Sequence, residues 1–165
     1  MRIIGIIGWS GSGKTTLVTK VIPRIVARGL VVSTIKHAHL GFQIDQPGKD
    51  SQTYRTAGAS EVLVGSRNRW AMIHELRGEA EPELAALVRK LSPVDLVLVE
   101  GYKGGSHPKV EVYRAAIDKP PLYPDDAAIV AVASDDPLPD AKIPVVKPDD
   151  VEAIIEIILH HACAC

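Results

Sequence analysis

Residues 8 to 15 read G-W-S-G-S-G-K-T and follow directly on the apolar run Arg2-Ile3-Ile4-Gly5-Ile6-Ile7. This is a complete phosphate-binding loop, G-x-x-x-x-G-K-[ST], set between a short buried strand and a helix. It constrains fold and ligand class together. Gly8, Gly11 and Gly13 allow the main chain to curl until several N–H groups point inward at one phosphate. The helix opening near Gly13 adds the positive end of its dipole. Lys14 supplies a mobile cation for β- and γ-phosphates. Thr15 offers a hydroxyl to a Mg²⁺ ion bridging them.

The rest of the chain alternates strand and helix signals. Thr15–Arg28 carries a helical stripe of Leu17, Val18, Val21, Ile22, Ile25 and Val26, with Pro23 as a kink point and Gly29 as a stop. Strands are expected at Leu30–Lys36, Glu61–Val64, Trp70–Ile73, Leu96–Val99, Val110–Tyr113, Ile129–Ala133 and Val145–Val146, that at Val110–Tyr113 being a candidate for antiparallel pairing. Short helices are expected at Ser51–Ala57, capped by Asp50, and at Pro82–Leu91, opened by its proline. Asp150 is expected to cap a closing helix with the stripe Val151, Ile154, Ile155, Ile158 and Leu159. This order predicts an α/β fold: a P-loop NTPase with a mainly parallel sheet, helices on both faces, an antiparallel extension, and one domain over residues 1–165. Ligands of such sheets sit beyond the carboxyl ends of the strands. The loops after Ile7, Lys36, Val99, Ala133 and Val146 are therefore the ones to search.

On those loops, Asp95 and Glu100 bracket one apolar strand. Asp95 belongs at the end remote from the phosphates. Glu100 belongs beside Mg²⁺ and the γ-phosphate, acting directly or through a water, because magnesium favours hard oxygen donors and keeps several waters. Gly101 permits close backbone approach, and Lys103 is within plausible range of phosphate or a partner. His37 and His39, with Asp45, Lys49 and Asp50 beyond, admit a metal site, a second anion site or an ordinary polar loop. Arg55, Arg67, Arg69 and Arg114 are candidate anion clamps. Asp135, just after a strand, is placed to accept from guanine N1–H and N2–H₂, although the N-K-x-D tetrad is absent. His160, His161, Cys163 and Cys165 form a terminal cluster of soft-metal donors, in a tail of the kind that is often unstructured.

Composition removes several function classes. The formal charge is −1 and the basic residues are scattered, which leaves no electrostatic footprint for nucleic acid. No run of 18 apolar residues is present, so no membrane span is expected. The apolar N-terminal run leads into the phosphate loop and does not have the build of a signal peptide. Two cysteines near the C-terminus are no disulfide framework. A cytoplasmic protein is the expectation.

Beyond the phosphate loop, several motifs accumulate: W-S-G-S-G-K-T-T at 9–16, I-K-H-A-H at 35–39, D-Q-P-G-K-D-S at 45–51, R-T-A-G-A at 55–59, R-W-A at 69–71, D-L-V-L-V-E-G-Y-K at 95–103 and V-A-S-D-D-P-L at 132–138. Together they resemble the molybdopterin-guanine dinucleotide biosynthesis adaptor family, MobB. The likeness runs from the phosphate loop to the C-terminal helix. The histidine loop with D-x-P-G-K-D-S and the E-G-Y-K motif are its most specific parts. Where that family often carries a second consecutive histidine after H-x-H, this chain has Leu40.

The resemblance implies a GTP-binding protein with weak GTPase activity that assists the coupling of GMP to molybdopterin. It implies homodimers, contact with the guanylyltransferase MobA and with molybdopterin-bearing proteins, and Mg²⁺ with GTP as bound ligands. Gly11, Ser12, Gly13, Lys14, Thr15 and Thr16 would hold phosphates and Mg²⁺, with Glu100 serving the metal or the attacking water. His37, His39, Asp45, Lys49 and Lys103 would face partner or pterin. No glutamine or arginine finger is identifiable by spacing, so unassisted turnover is expected in the range of about 10⁻⁴ to 10⁻² per second. Two other readings of the same loop stay open: a nickel-inserting maturation GTPase of the urease or hydrogenase type, and a small-molecule P-loop kinase.

Overall fold

The computed structural model describes residues 1–38 and 41–165. They form two compact units: one of Met1–His37 and Leu84–Cys165, the other of Ala38–Glu83.

The first unit is built on β1 (Arg2–Ile7), α1 (Lys14–Ala27) and β2 (Val32–Lys36), and the second on α2 (Asp50–Thr56), β3 (Glu61–Gly65) and β4 (Trp70–His74). The chain then returns to the first unit with α3 (Leu84–Val88), β5 (Leu96–Glu100), β6 (Lys109–Val112), β7 (Ile129–Ala133), β8 (Val145–Val146), α4 (Val151–His161) and β9 (Cys163–Ala164). The main sheet has the order β2-β5-β1-β6-β7-β8, all parallel, with β9 antiparallel on β1. Period-two alternation splits the apolar side chains between two faces. Ile4, Ile6, Leu96, Leu98, Val110 and Val112 join α1 and α4 in one core, through Leu17, Val21, Ile25, Ile154, Ile155 and Ile158. Ile3, Val97, Val99 and Ile35 join Val88, Leu84 and Leu87 in the other.

Several elements depart from expectation. β6 is parallel to both neighbours, not antiparallel. A parallel partner reached through residues 101–108 alone looks too close in sequence, since such connections ordinarily need a dozen residues or more. The register explains it. β5 ends with Glu100 level with Ile6, and β6 starts with Lys109 level with Gly5. The connection therefore moves sideways past β1 with almost no return along the strands. It crosses above Gly5: a Cβ there would lie 2.7 Å from His107 Nε2 and 2.8 Å from Lys109 Cγ. The stagger also leaves the start of β1 uncovered on that side. There Cys163 and Ala164 pair with Ile3 and Arg2, so the C-terminal tail is a strand and not a loose end.

α1 runs unbroken through Pro23 and stops before Gly29 as expected. α3 is shorter than the predicted Pro82–Leu91, ending in tight turns from Lys90 to Leu87 and from Leu91 to Val88. Asp50 is not the cap of α2: Lys49 holds the cap position in an extended conformation, and Asp50 occupies the first turn, where a carboxylate still favours the helix dipole. Asp150 does cap α4, its carboxylate accepting from the Ala153 N–H at 3.2 Å. The expected hairpin is present, with β3 and β4 antiparallel and Ser66 closing the turn onto Arg69.

Candidate functional site

At the carboxyl edge of β1 the chain enters a turn in which Gly8, Gly11 and Gly13 all have positive φ. Gly8 shows why the position admits no side chain. A Cβ there would sit 2.3 Å from the Val112 carbonyl oxygen and 2.7 Å from Ser12 Oγ. The loop is thus pressed against the end of β6. Ser12 is buried and its hydroxyl has no hydrogen-bond partner among the described residues.

Lys14 opens α1 and folds back over the loop, donating to the carbonyls of Gly8 at 3.1 Å and Trp9 at 2.8 Å. Burial holds its ammonium below the ordinary lysine range; Glu100 opposes this, while Lys103 and Lys36 add to it. Thr15 donates its hydroxyl to the Glu100 carboxylate at 3.2 and 3.3 Å, and Lys36 Nζ lies 3.0 Å from Glu100 Oε1. Glu100 thus lies beside Thr15, and Asp95 stands at the opposite end of β5, where it accepts from the Val31 N–H. An alcohol and a carboxylate converging on the loop are a hard-oxygen donor pair, which fits Mg²⁺. Among the described residues no group of three or more His, Cys, Asp or Glu side chains converges as in a metal centre.

The residues after Glu100 lock it in position. Gly101 has φ 99° and a Cβ there would meet His37 Cβ at 2.8 Å; its N–H donates to the Ile6 carbonyl, and the His37 N–H donates to that of Glu100. The His37 ring stacks on Tyr102, centroids 4.5 Å apart. Lys103 lies over the Trp9 ring at 3.8 Å, and Trp9 Nε1–H donates to the Pro120 carbonyl. Both interactions bring the long connections after β5 and β6 onto the phosphate loop.

A buried polar row on β6 anchors the same connections, and sequence reasoning missed it. Lys109 is 1 % exposed and donates to the Lys103 carbonyl and to Asp126; Glu111 is fully buried and accepts from the N–H groups of Leu122 and Tyr123. Burial pushes the Glu111 carboxyl up, against those two N–H groups. The available signal was two opposite charges at i and i+2 in Lys109-Val-Glu-Val112, a pattern that puts both on one face of a strand.

Asp135 is exposed and lies two positions beyond the end of β7, after Ser134, on the same edge as the phosphate loop. Thr16 is exposed in the first turn of α1. In the second unit, Asp45 is turned inward and accepts two hydrogen bonds from Arg55, which also pairs with Glu75. Lys49 is exposed before α2, and His39 lies outside the described residues. Beside Arg55 there is an open cleft of about 310 Å³ lined by Phe42, Ile44, Ile73, Leu76 and Arg77 among others.

A family model for molybdopterin guanine dinucleotide synthesis protein B matches residues 3–135. A molybdopterin-guanine dinucleotide biosynthesis adapter protein of Escherichia coli K12 is 38 % identical over 160 residues, covering 95 % of this chain and 91 % of the relative. One from Haemophilus influenzae is 42 % identical over 136 residues, 82 % of this chain and 76 % of the relative. A crystal structure of molybdopterin-guanine biosynthesis protein B superimposes with a TM-score of 0.74 at 29 % identity, covering 96 % of this chain and 98 % of the other. That of Bacillus subtilis MobB gives 0.80 at 21 % identity over both whole chains, a likeness of fold.

Proposed function

The chain belongs to the molybdopterin guanine dinucleotide synthesis protein B family, and from that premise we propose that it is a GTP-binding adapter in molybdenum cofactor biosynthesis. In this reading it assists attachment of GMP to molybdopterin, hydrolyses GTP slowly at most, and works in the cytoplasm as a homodimer with the guanylyltransferase MobA and molybdopterin-bearing proteins. Family membership favours this over the nickel-inserting and kinase readings. The observation that carries the nucleotide part is the convergence of Lys14, Thr15 and Glu100 on the glycine loop.

Each of those groups has a defined task. The loop N–H groups and the Lys14 ammonium bind the phosphates electrostatically. To do so Lys14 exchanges the carbonyls of Gly8 and Trp9 for phosphate oxygens. Thr15 and Glu100 are the residues that would hold Mg²⁺, which neutralises β- and γ-phosphate charge when bound. Lys36 fixes the Glu100 carboxylate. Asp135 is the candidate for reading the guanine edge, and Ser12, Gly11, Gly13 and Thr16 complete the cradle. His37 and Lys103 are the first unit's candidates for contact with pterin or partner, and Lys49 and His39 are those of the second. The exposed Leu63, Trp70 and Met72 share one face of the β3–β4 hairpin, an apolar surface that supports pairing with a second copy.

Calorimetry tests the site. Mg-GTP binds the parent protein, Lys14→Ala loses at least about a hundredfold in affinity, and Glu100→Gln keeps binding but slows single-turnover hydrolysis. Unchanged affinity in Lys14→Ala would refute the assignment.

A further inference from the structure

We infer that Arg114 is a nucleotide-phosphate ligand supplied in cis, entering the glycine loop from the flank opposite Glu100. The inference rests on the GTP-binding reading and adds a cation that loop spacing does not reveal.

Topology brings the residue there. β6 lies beside β1 on the side away from β5, with Glu111 level with Ile7. The chain leaving β6 through Tyr113 and Arg114 therefore emerges next to the chain leaving β1 into the phosphate loop. Glu100 emerges from β5 on the other side of β1. The contact of the Gly8 position with the Val112 carbonyl holds loop and strand end together.

The guanidinium completes the approach. Arg114 Nη2 lies 3.7 Å from the Cβ position of Gly13, the residue that immediately precedes Lys14 and caps α1 with φ 99°. A Cβ on Gly13 would stand in van der Waals contact with the guanidinium. The backbone around Arg114 is tied down on both sides: the Tyr113 N–H donates to the Ala133 carbonyl, and the Ala115 N–H donates to the Asp136 carboxylate at 2.7 Å. A short 3₁₀ turn, Ala115–Ile117, comes next. By contrast the guanidinium itself makes no hydrogen bond or ion pair among the described residues. A planar five-donor cation on a fixed backbone, beside a glycine loop that opens a helix, lacks only the acceptor. A phosphate oxygen supplies it.

The tie to Asp136 adds a second consequence. Asp136 succeeds the candidate base reader Asp135, and its own N–H is held by Ser134 Oγ. The turn carrying Arg114 and the turn carrying Asp135 are thus one hydrogen-bonded assembly, so that phosphate and base ends of one nucleotide would be gripped by a single rigid corner.

The test is calorimetry of Mg-GTP and Mg-GDP with the full-length protein, Arg114→Ala and Arg114→Lys, at low and high salt. Arg114 is exposed, so both variants should keep the parent's circular dichroism and melting temperature. Expected is a loss of about tenfold or more for both nucleotides in Arg114→Ala, partial recovery in Arg114→Lys, and a shallower salt dependence in Arg114→Ala. Affinity within about twofold of the parent in Arg114→Ala overturns the inference and leaves the GTP reading standing. So does a loss that Arg114→Lys and salt do not modulate, because it would mark a role without charge. Failure of the parent itself to bind either nucleotide overturns both readings at once.

Discussion

Ile155, on the sheet-facing side of α4, has no exposed surface, and it has many equals: Ile4, Ile25, Val97, Val99 and Ile158 are buried as completely. Between residues 38 and 83 the only buried residue among those described is Val62. The organisation of that second unit is polar. Arg55 reaches from α2 to Asp45 on one side and Glu75 on the other, and Arg77 donates to the carbonyls of Arg55 and Ala59. A two-stranded hairpin alone is marginal in water, so the bracket around Arg55 carries much of the ordering. The chain thus separates two tasks. One unit is a stiff platform whose parts cannot shift without opening a packed interior. The other is held by charge and presents apolar side chains outward.

Three measurements probe this division of labour, the most disruptive first. Ile155→Ala should destabilise the platform by about 2 to 5 kcal/mol, the range for emptying a buried isoleucine site. Denaturant unfolding measures it, and a loss below about 1 kcal/mol would mean that the interior is not close-packed. Asp150→Ala removes the cap of α4 and should cost about 1 kcal/mol. Amide exchange in that variant should quicken in the first turn of α4 and stay unchanged in β3 and β4.

The third is an acid titration. The hydrogen bonds from Arg55 hold the Asp45 carboxyl below its ordinary value, against the burial that opposes them. A depressed carboxyl contributes stability that is complete above the unfolded-state value, about 3.9, and disappears as pH falls through the folded one. Exchange across residues 41–80 should therefore quicken on acidification below about pH 4, and Asp45→Asn should show the quickened exchange already at neutral pH. Equal exchange in parent and variant would mean that the bracket does not order this unit. The platform has an acid response of its own. Burial keeps the His107 imidazole below the usual histidine range, with Lys109 adding and Asp126 opposing. Its part of the stability is lost as pH falls below about 6.5, so the two units should loosen in separate pH windows.

How much of this could be read from the chain alone depends on how local the cause is. The phosphate loop is legible because its chemistry is contiguous: three glycines, a lysine and a threonine within eight positions specify turn and helix start at once. Glu100 is legible because an apolar strand in a parallel sheet has only one end that faces ligands. The cap at Asp150 and the hairpin at 61–74 are likewise short-range. Arg114 could be named only as one of four candidate arginines, since its nearness to Gly13 comes from strand order and not from spacing. The parallel direction of β6 was misread because its cause, a register offset across β1, is written in no stretch of residues. Trp9 under Lys103, and the Lys109–Asp126 pair, are of the same kind.

The register offset also governs how far apart the two jaws of the site stand. The crossing from β5 to β6 rides over Gly5, so the gap between the jaw carrying Glu100 and the jaw carrying Arg114 is set at a position bearing no functional group. A methyl group introduced there would act as a shim beneath the crossing. It would lever His107 and Lys109 away and retune the gap between Glu100 and Arg114 from a position that carries no side chain.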